Sequence, residues 1–149
     1  SVRTSTNLLF EWSRLMNYEL VLFTSYDRND KPIYHTNVVM CIADSFAIVC
    51  LDAIKGFDEQ RQVRTRLVET NHALVDISLD QMHNFCANCL QLQNANGEKY
   101  LVMSDNAYQN YTTEQLASIQ QNCTIIHSPL DTIEEYGGGG ARCMLAELF

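Results

Sequence analysis

Four consecutive glycines followed by Ala, Arg and Cys occupy positions 137–143, and this stretch holds the strongest chemical signal in the chain. Gly138, Gly139 and Gly140 permit positive φ and close backbone approach, which is useful where a ligand must reach the residues that follow, Cys143 among them. A phosphate cradle would want a helix N-terminus and a Lys after the glycines, a pattern this sequence lacks. On composition alone the run also reads as a flexible connection to a last strand. The second signal is His35, in Pro-Ile-Tyr-His-Thr-Asn at 32–37, just before an apolar run. An imidazole titrates near neutrality and suits general acid–base work, although a lone His is more often structural.

The pair Cys86-Ala-Asn-Cys89 has the spacing of zinc and redox sites, and His83 stands close enough in sequence to be a third ligand. No fourth ligand follows at a finger-like spacing, and as part of a strand Cys86 and Cys89 would point to opposite faces. The expectation is therefore a structural pair with no metal. Cys41, Cys50 and Cys123 lie in or beside apolar runs, where a free thiol behaves as a small buried hydrophobe. The six cysteines read as reduced thiols of a cytoplasmic protein. His72 and His127 read as surface or strand-edge residues.

These candidates must be positioned by a chain of 149 residues, 46% apolar and 19% charged, a composition suited to one globular domain. With Lys+Arg 10 against Asp+Glu 18 the net charge is −8. That balance argues against nucleic acid or an anionic membrane as partner and favours a small, cationic molecule over a polyanion. No apolar run approaches the roughly 20 residues of a membrane span. The opening Ser-Val-Arg-Thr reads as a cut through a longer protein.

Residues 7–17 place Leu8, Leu9, Trp12, Leu15 and Met16 on one helical stripe, and 18–24 are rich in strand formers. Residues 25–31 form a polar turn closed by Pro32. Two apolar runs at 37–42 and 46–51 predict a hairpin, followed by a charged helix at 58–70 with Val63, Leu67 and Val68 inward. A strand at 73–77 precedes a turn or short helix opened by Ser78. A second hairpin is expected from 85–92 and 99–103 around Asn-Ala-Asn-Gly at 94–97. A helix at 113–121, a strand at 123–126, a short helix at 130–136 and a final strand at 141–149 complete the reading. Helices and strands recur at about 50 residues, which predicts repeated α/β modules and does not fit a doubly wound nucleotide-binding sheet.

Taken together, Tyr-His-Thr-Asn-Val-Val-Met at 34–40, Phe-Cys-Ala-Asn at 85–88, Leu-Val-Met-Ser at 101–104 and Gly-Gly-Gly-Gly-Ala-Arg-Cys-Met at 137–144 resemble the guanidine-modifying (pentein) superfamily. The likeness runs over the whole chain. It points toward citrulline-utilisation hydrolases and dimethylarginine dimethylaminohydrolase-like or amidinotransferase-like proteins. It implies an α/β propeller of five ββαβ modules, of which this chain, the C-terminal part of a single catalytic domain, would hold about three (1–53, 54–110 and 111–149). By the same resemblance Cys143 matches the nucleophile and His35 the general acid/base. Arg3 matches a loop residue that binds a substrate α-carboxylate. Asn37 stands where related enzymes carry a guanidinium-binding Asp. Losing that charge while keeping a carbonyl acceptor favours a neutral ureido group such as that of citrulline. The implied activity is cysteine-dependent hydrolysis of an arginine- or citrulline-derived small molecule, with no cofactor. The alternatives are arginine deiminase, dimethylarginine hydrolase or amidinotransferase activity, or a non-catalytic module that self-associates as a homo-oligomer through open strand edges.

Overall fold

The structure is a computed structural model and describes residues 3–146. Its frame is a ββαβ unit that occurs twice. In the first, β1 (Met40–Ile42) pairs antiparallel with β2 (Phe46–Val49), and β2 pairs parallel with β3 (Ala73–Asp76). The crossover is helix α3 (Phe57–Glu69). In the second, β4 (Leu90–Gln93) pairs antiparallel with β5 (Lys99–Ser104), and β5 parallel with β6 (Thr124–Ser128). Here the crossover is made by α5 (Asp105–Asn110) and α6 (Thr113–Gln120). An antiparallel partner is reached by a tight turn and a parallel one only by a crossover, so the central strands β2 and β5 carry one neighbour of each kind.

Strand β2 alternates between two cores. Phe46 and Ile48 enter a large cluster shared with Val39, Val75, Met82, Leu101, Met103 and Ile119. Ala47 and Val49 face the other way, against Met40, Leu51, Ile54, Val63 and Leu67 beneath α3. Helix α3 is signalled by Asp58 and Glu59 in its first turn and Arg66 in its last. It buries Val63 and Leu67, but Val68 is exposed, because one residue turns the helix by 100° and carries it off the face that Leu67 occupies.

A short helix between the units and one in the second crossover are capped alike. Ser78 caps α4 (Leu79–His83) in a box with Gln81, and Thr112 caps α6 in a box with Gln115. The two glutamines meet: Gln81 Nε2 donates to Gln115 Oε1 at 2.6 Å, and Gln115 Nε2 donates to the Asp76 carbonyl at 2.8 Å. The hairpin turn at 94–97 forms as its sequence demands. Asn94 Oδ1 accepts from Asn96 N and Glu98 N, both at 3.0 Å, and Gly97 adopts φ 84.

Four expectations change. Helix α1 (Thr6–Met16) forms where its stripe predicts and ends on Asn17 in the left-handed region, but it buries none of its residues. Residues 18–24 form no strand. They run extended, with Thr24 N donating to Glu59 Oε2 at 2.8 Å and only single bridges following at Ser25–Ile54 and Tyr26–Pro32. Strand-forming side chains suit an extended backbone whether or not a ladder partner exists. The run at 37–42 begins as a single helical turn, α2 (Thr36–Val39), and only then enters β1. The run at 85–89 is a turn in which Cys86 N bonds to Gln81 O at 3.0 Å and Asn88 N to Phe85 O at 2.8 Å. Strand alternation therefore does not govern Cys86 and Cys89, and both thiols enter the core.

Candidate active site

The segment around Asn37 and the segment around Cys143 meet beside the larger core cluster. The glycine run follows α7 (Asp131–Gly137), whose C-cap Gly138 takes φ 68, a value glycine adopts without strain. The chain then turns into α8 (Ala141–Met144), a single helical turn where the sequence predicted a strand. The backbone explains the difference. Arg142 N donates to Asn88 O at 3.2 Å and Cys143 N to Gly140 O at 3.2 Å, so the amides are used within and beneath the turn and not in a ladder. Residues 147–149 of that expected strand lie outside the described part.

Cys143 is exposed, whereas the other five cysteines are buried. Its Sγ accepts from Asn88 Nδ2 at 3.3 Å and faces Asn37 Nδ2 at 3.7 Å. Asn88, which is 3% exposed, also donates from Nδ2 to the Asn37 carbonyl at 3.2 Å. One amide thus ties the nucleophile candidate to the turn after His35. The two glycines before the helical turn are closely packed. A Cβ on Gly139 would stand 2.9 Å from both Cβ and Sγ of Cys143. One on Gly140 would stand 3.0 Å from Asn88 Oδ1, 3.3 Å from Phe85 and 3.4 Å from Glu134 Oε1.

These residues border a cavity of about 840 Å³, with Cys143, His35, Gly138, Tyr34, Phe85 and Glu134 among its lining. His35 is the extended N-cap of α2 and is exposed. Its ring packs edge-on against Tyr34 at 4.4 Å between centroids. Arg3 reaches this corner through the other side of Tyr34, its guanidinium 4.3 Å from the ring centroid. The rim carries Asp27, Asp131 and Glu135 as well as Arg28 and Lys31, so both signs of charge face a ligand. Of the sequence candidates, Cys143, His35, Asn37, Gly138, Gly139 and Gly140 gather at one place, and Arg3 stands one ring away.

Sequence reasoning did not single out Asn88 or Glu134 as site residues. Asn88 lay inside a motif noted only for its likeness, and Glu134 looked like one more charge on a short helix. Glu134 is 8% exposed; its Oε2 accepts from Asn106 Nδ2 at 3.0 Å and its Oε1 has no partner. Of the buried thiols, Cys41 is lowered by its hydrogen bond with Cys89, and the other four are raised. Burial pushes the Cys86 thiol up to about 12 and that of Cys50 to about 11. Cys89 is raised by its hydrogen bond with Cys41 and by burial. A protonated, occluded thiol is a poor nucleophile, which leaves Cys143 as the accessible one.

Known proteins show the same fold. The apo crystal structure of ArgZ, an arginine dihydrolase from the cyanobacterial ornithine–ammonia cycle, superposes with a TM-score of 0.70 at 14% identity, over 95% of this chain and 20% of that one. The N-terminal domain of ArgZ(N71S), covalently bound to a reaction intermediate, gives 0.65 at 16% identity, over 95% of this chain and 46% of the other. Unliganded AgrE gives 0.56 at 18% identity, covering 74% and 14%. The chain therefore spans less than half the length of the structures it resembles. No curated protein matches it. The repeated ββαβ units and these superpositions define the pentein-type fold. Residues 1–149 match the profile of the eukaryotic N,N-dimethylarginine dimethylhydrolases, and the chain belongs to that family.

Proposed function

We propose that the protein hydrolyses a C–N bond at the guanidino or ureido carbon of an arginine-derived small molecule, with Cys143 as nucleophile. The supporting observation is the convergence of Cys143 and His35 on one cavity, with amide donors of Asn88 and Asn37 directed at the sulfur. The Cys143 thiolate attacks the planar carbon and forms an S–C bond. The C–N bond to the leaving amine breaks, and His35 delivers the proton that amine needs. His35 then takes a proton from water, which attacks the thio-intermediate and releases the sulfur. The scheme uses no metal or organic cofactor. Arg3 holds a substrate carboxylate, and Gly138, Gly139 and Gly140 keep the approach to Cys143 free of side chains.

Citrulline is the favoured substrate on the neutral amide of Asn37. A specific observation supports a second reading. The nearly buried Glu134, with one oxygen unpartnered, supplies negative charge beside the cavity and would suit a cationic guanidinium, as in arginine or a methylated arginine. A screen of the full-length protein with citrulline, arginine, methylated arginines and agmatine separates the two, reading ammonia, methylamines and ornithine. Turnover of citrulline above the guanidino compounds supports the first reading; the reverse order supports the second. Inactivity on all of them overturns both. The chain forms part of one catalytic domain of a cytoplasmic enzyme in this proposal, in keeping with its six free cysteines.

A further inference from the structure

The motif Phe-Cys-Ala-Asn at 85–88 takes no proton and forms no bond in the scheme above, yet its last residue makes the shorter of the two amide contacts to the sulfur. Asn88 is held on every side. Its N–H bonds to Phe85 O at 2.8 Å, its carbonyl accepts Arg142 N at 3.2 Å, and its side chain is buried. The turn that presents it is pinned by Phe85, a bulky residue at φ 62. From Nδ2 the two N–H bonds divide between the Asn37 carbonyl and Cys143 Sγ. The same residue therefore fixes α8 through its backbone and the nucleophile through its amide.

We infer that Asn88 is a further residue of the catalytic machinery, a buried amide donor that holds Cys143 Sγ in place and stabilises the negative charge it carries when it attacks. This rests on the reading of Cys143 as nucleophile. A hydrogen bond to an ionised partner is stronger than one to a neutral partner, so the contact gains when the thiol ionises. Because Asn88 is already oriented by three other bonds, no side-chain ordering is needed at the moment of reaction. Its Oδ1 has no partner and lies beneath Gly140, which keeps the amide from being read as a generic core hydrogen-bond pair. The amide is placed for its donor end.

The test uses the full-length protein, Asn88→Ala and Asn88→Asp, and iodoacetamide. Cys143 is the exposed thiol, so its alkylation rate is read by mass spectrometry while the five buried thiols, unreacted without denaturant, report an intact fold. Asn88→Ala should slow alkylation of Cys143 roughly tenfold. Asn88→Asp, nearly the same shape but with an oxygen in place of Nδ2, should be slower still. In turnover, kcat should fall more than KM rises, since both N–H groups of the amide are engaged, one by the sulfur and one by the Asn37 carbonyl. Wild-type alkylation rates in both folded variants would overturn the inference. Should neither variant keep its thiols buried, the wild-type protein decides: the Asn88 side-chain amide resonances must move on Cys143→Ala, and unmoved resonances overturn it. Alkylation needs no turnover, so a wrong role for Asn88 stays distinct from a wrong reaction. An enzyme still active after Cys143 is blocked would overturn the nucleophile reading, and with it a catalytic role for Asn88, whatever the alkylation rates.

Discussion

At the scale of single residues the candidate site depends on very close packing around one sulfur. Gly139 gives the sharpest prediction. Its backbone is not in the left-handed region, so Ala is allowed there conformationally, but the added methyl would press on Cys143 itself at 2.9 Å. Gly139→Ala should change stability by less than about 1 kcal/mol while lowering kcat at least roughly tenfold. Full activity in that variant, with unchanged thermal melting, would show that Cys143 need not hold its position. On the proposed role of Asn37, Asn37→Asp should lower the citrulline-to-arginine ratio of kcat/KM by about tenfold, or ~1.4 kcal/mol. An unchanged ratio would detach Asn37 from substrate choice. Cys143 and His35 were legible as candidates from residue type and from the glycine run, and the structure brings both to one cavity. Asn88 was not, since an amide in a polar turn has many ordinary uses and only its burial against the sulfur distinguishes it.

At the scale of elements, the two capping boxes offer a measurable coupling. Gln81 and Gln115 each close a cap and also bond one another across the two units. Either Gln→Ala should cost about 1 kcal/mol, and the double variant should be non-additive by at least about 0.5 kcal/mol in urea melts. Strict additivity would mean that the amide contact adds nothing. The buried thiols set an alkaline limit. Cys50 and Cys86 remain protonated in the fold well above the ordinary thiol value of 9.0, whereas the unfolded chain ionises near that value. The unfolded state then binds fewer protons, so stability holds below about pH 9 and declines as pH rises toward 11 and 12. Cys86→Ala should flatten that decline; an unaltered slope would assign it to other groups. Helices α3 and α6 and the β4–β5 hairpin were readable because caps, end charges and Asn-Gly chemistry are local. The segments at 18–24 and 85–89 were not, because each is decided by contacts elsewhere: Glu59 in one case, α4 and α8 in the other. Helix α5 escaped because Asp-Asn-Ala-Tyr-Gln-Asn carries no apolar stripe, and only the Ser104 cap announces it.

At the scale of the whole molecule, the repeat of α/β modules was legible from the spacing of helices and strands, while the phase of the repeat, with each helix between the second and third strand of its unit, depends on parallel pairing that sequence does not display. Helix α1 leaves Leu8 65% and Leu15 72% exposed, and the solved relatives are more than twice as long. The 149-residue chain alone should therefore bind and turn over none of the candidate substrates, although it holds Cys143 and His35. Hydrolysis by the isolated chain, followed as ammonia release, would show that it carries the whole reaction. The contacts at Cys143 also have a temporal consequence. They join residues 55 and 106 positions apart, whereas each sheet closes over far shorter stretches. Closing the 106-residue loop costs only roughly 1–2 kcal/mol more entropy than closing one of some 25 residues, but that cost falls due before any contact compensates it. Both sheets can form while the last turn is still searching. Refolding should pass through a stage in which the β-structure is native and the sulfur still wanders, so that the contacts at Cys143 form late and are early to dissolve.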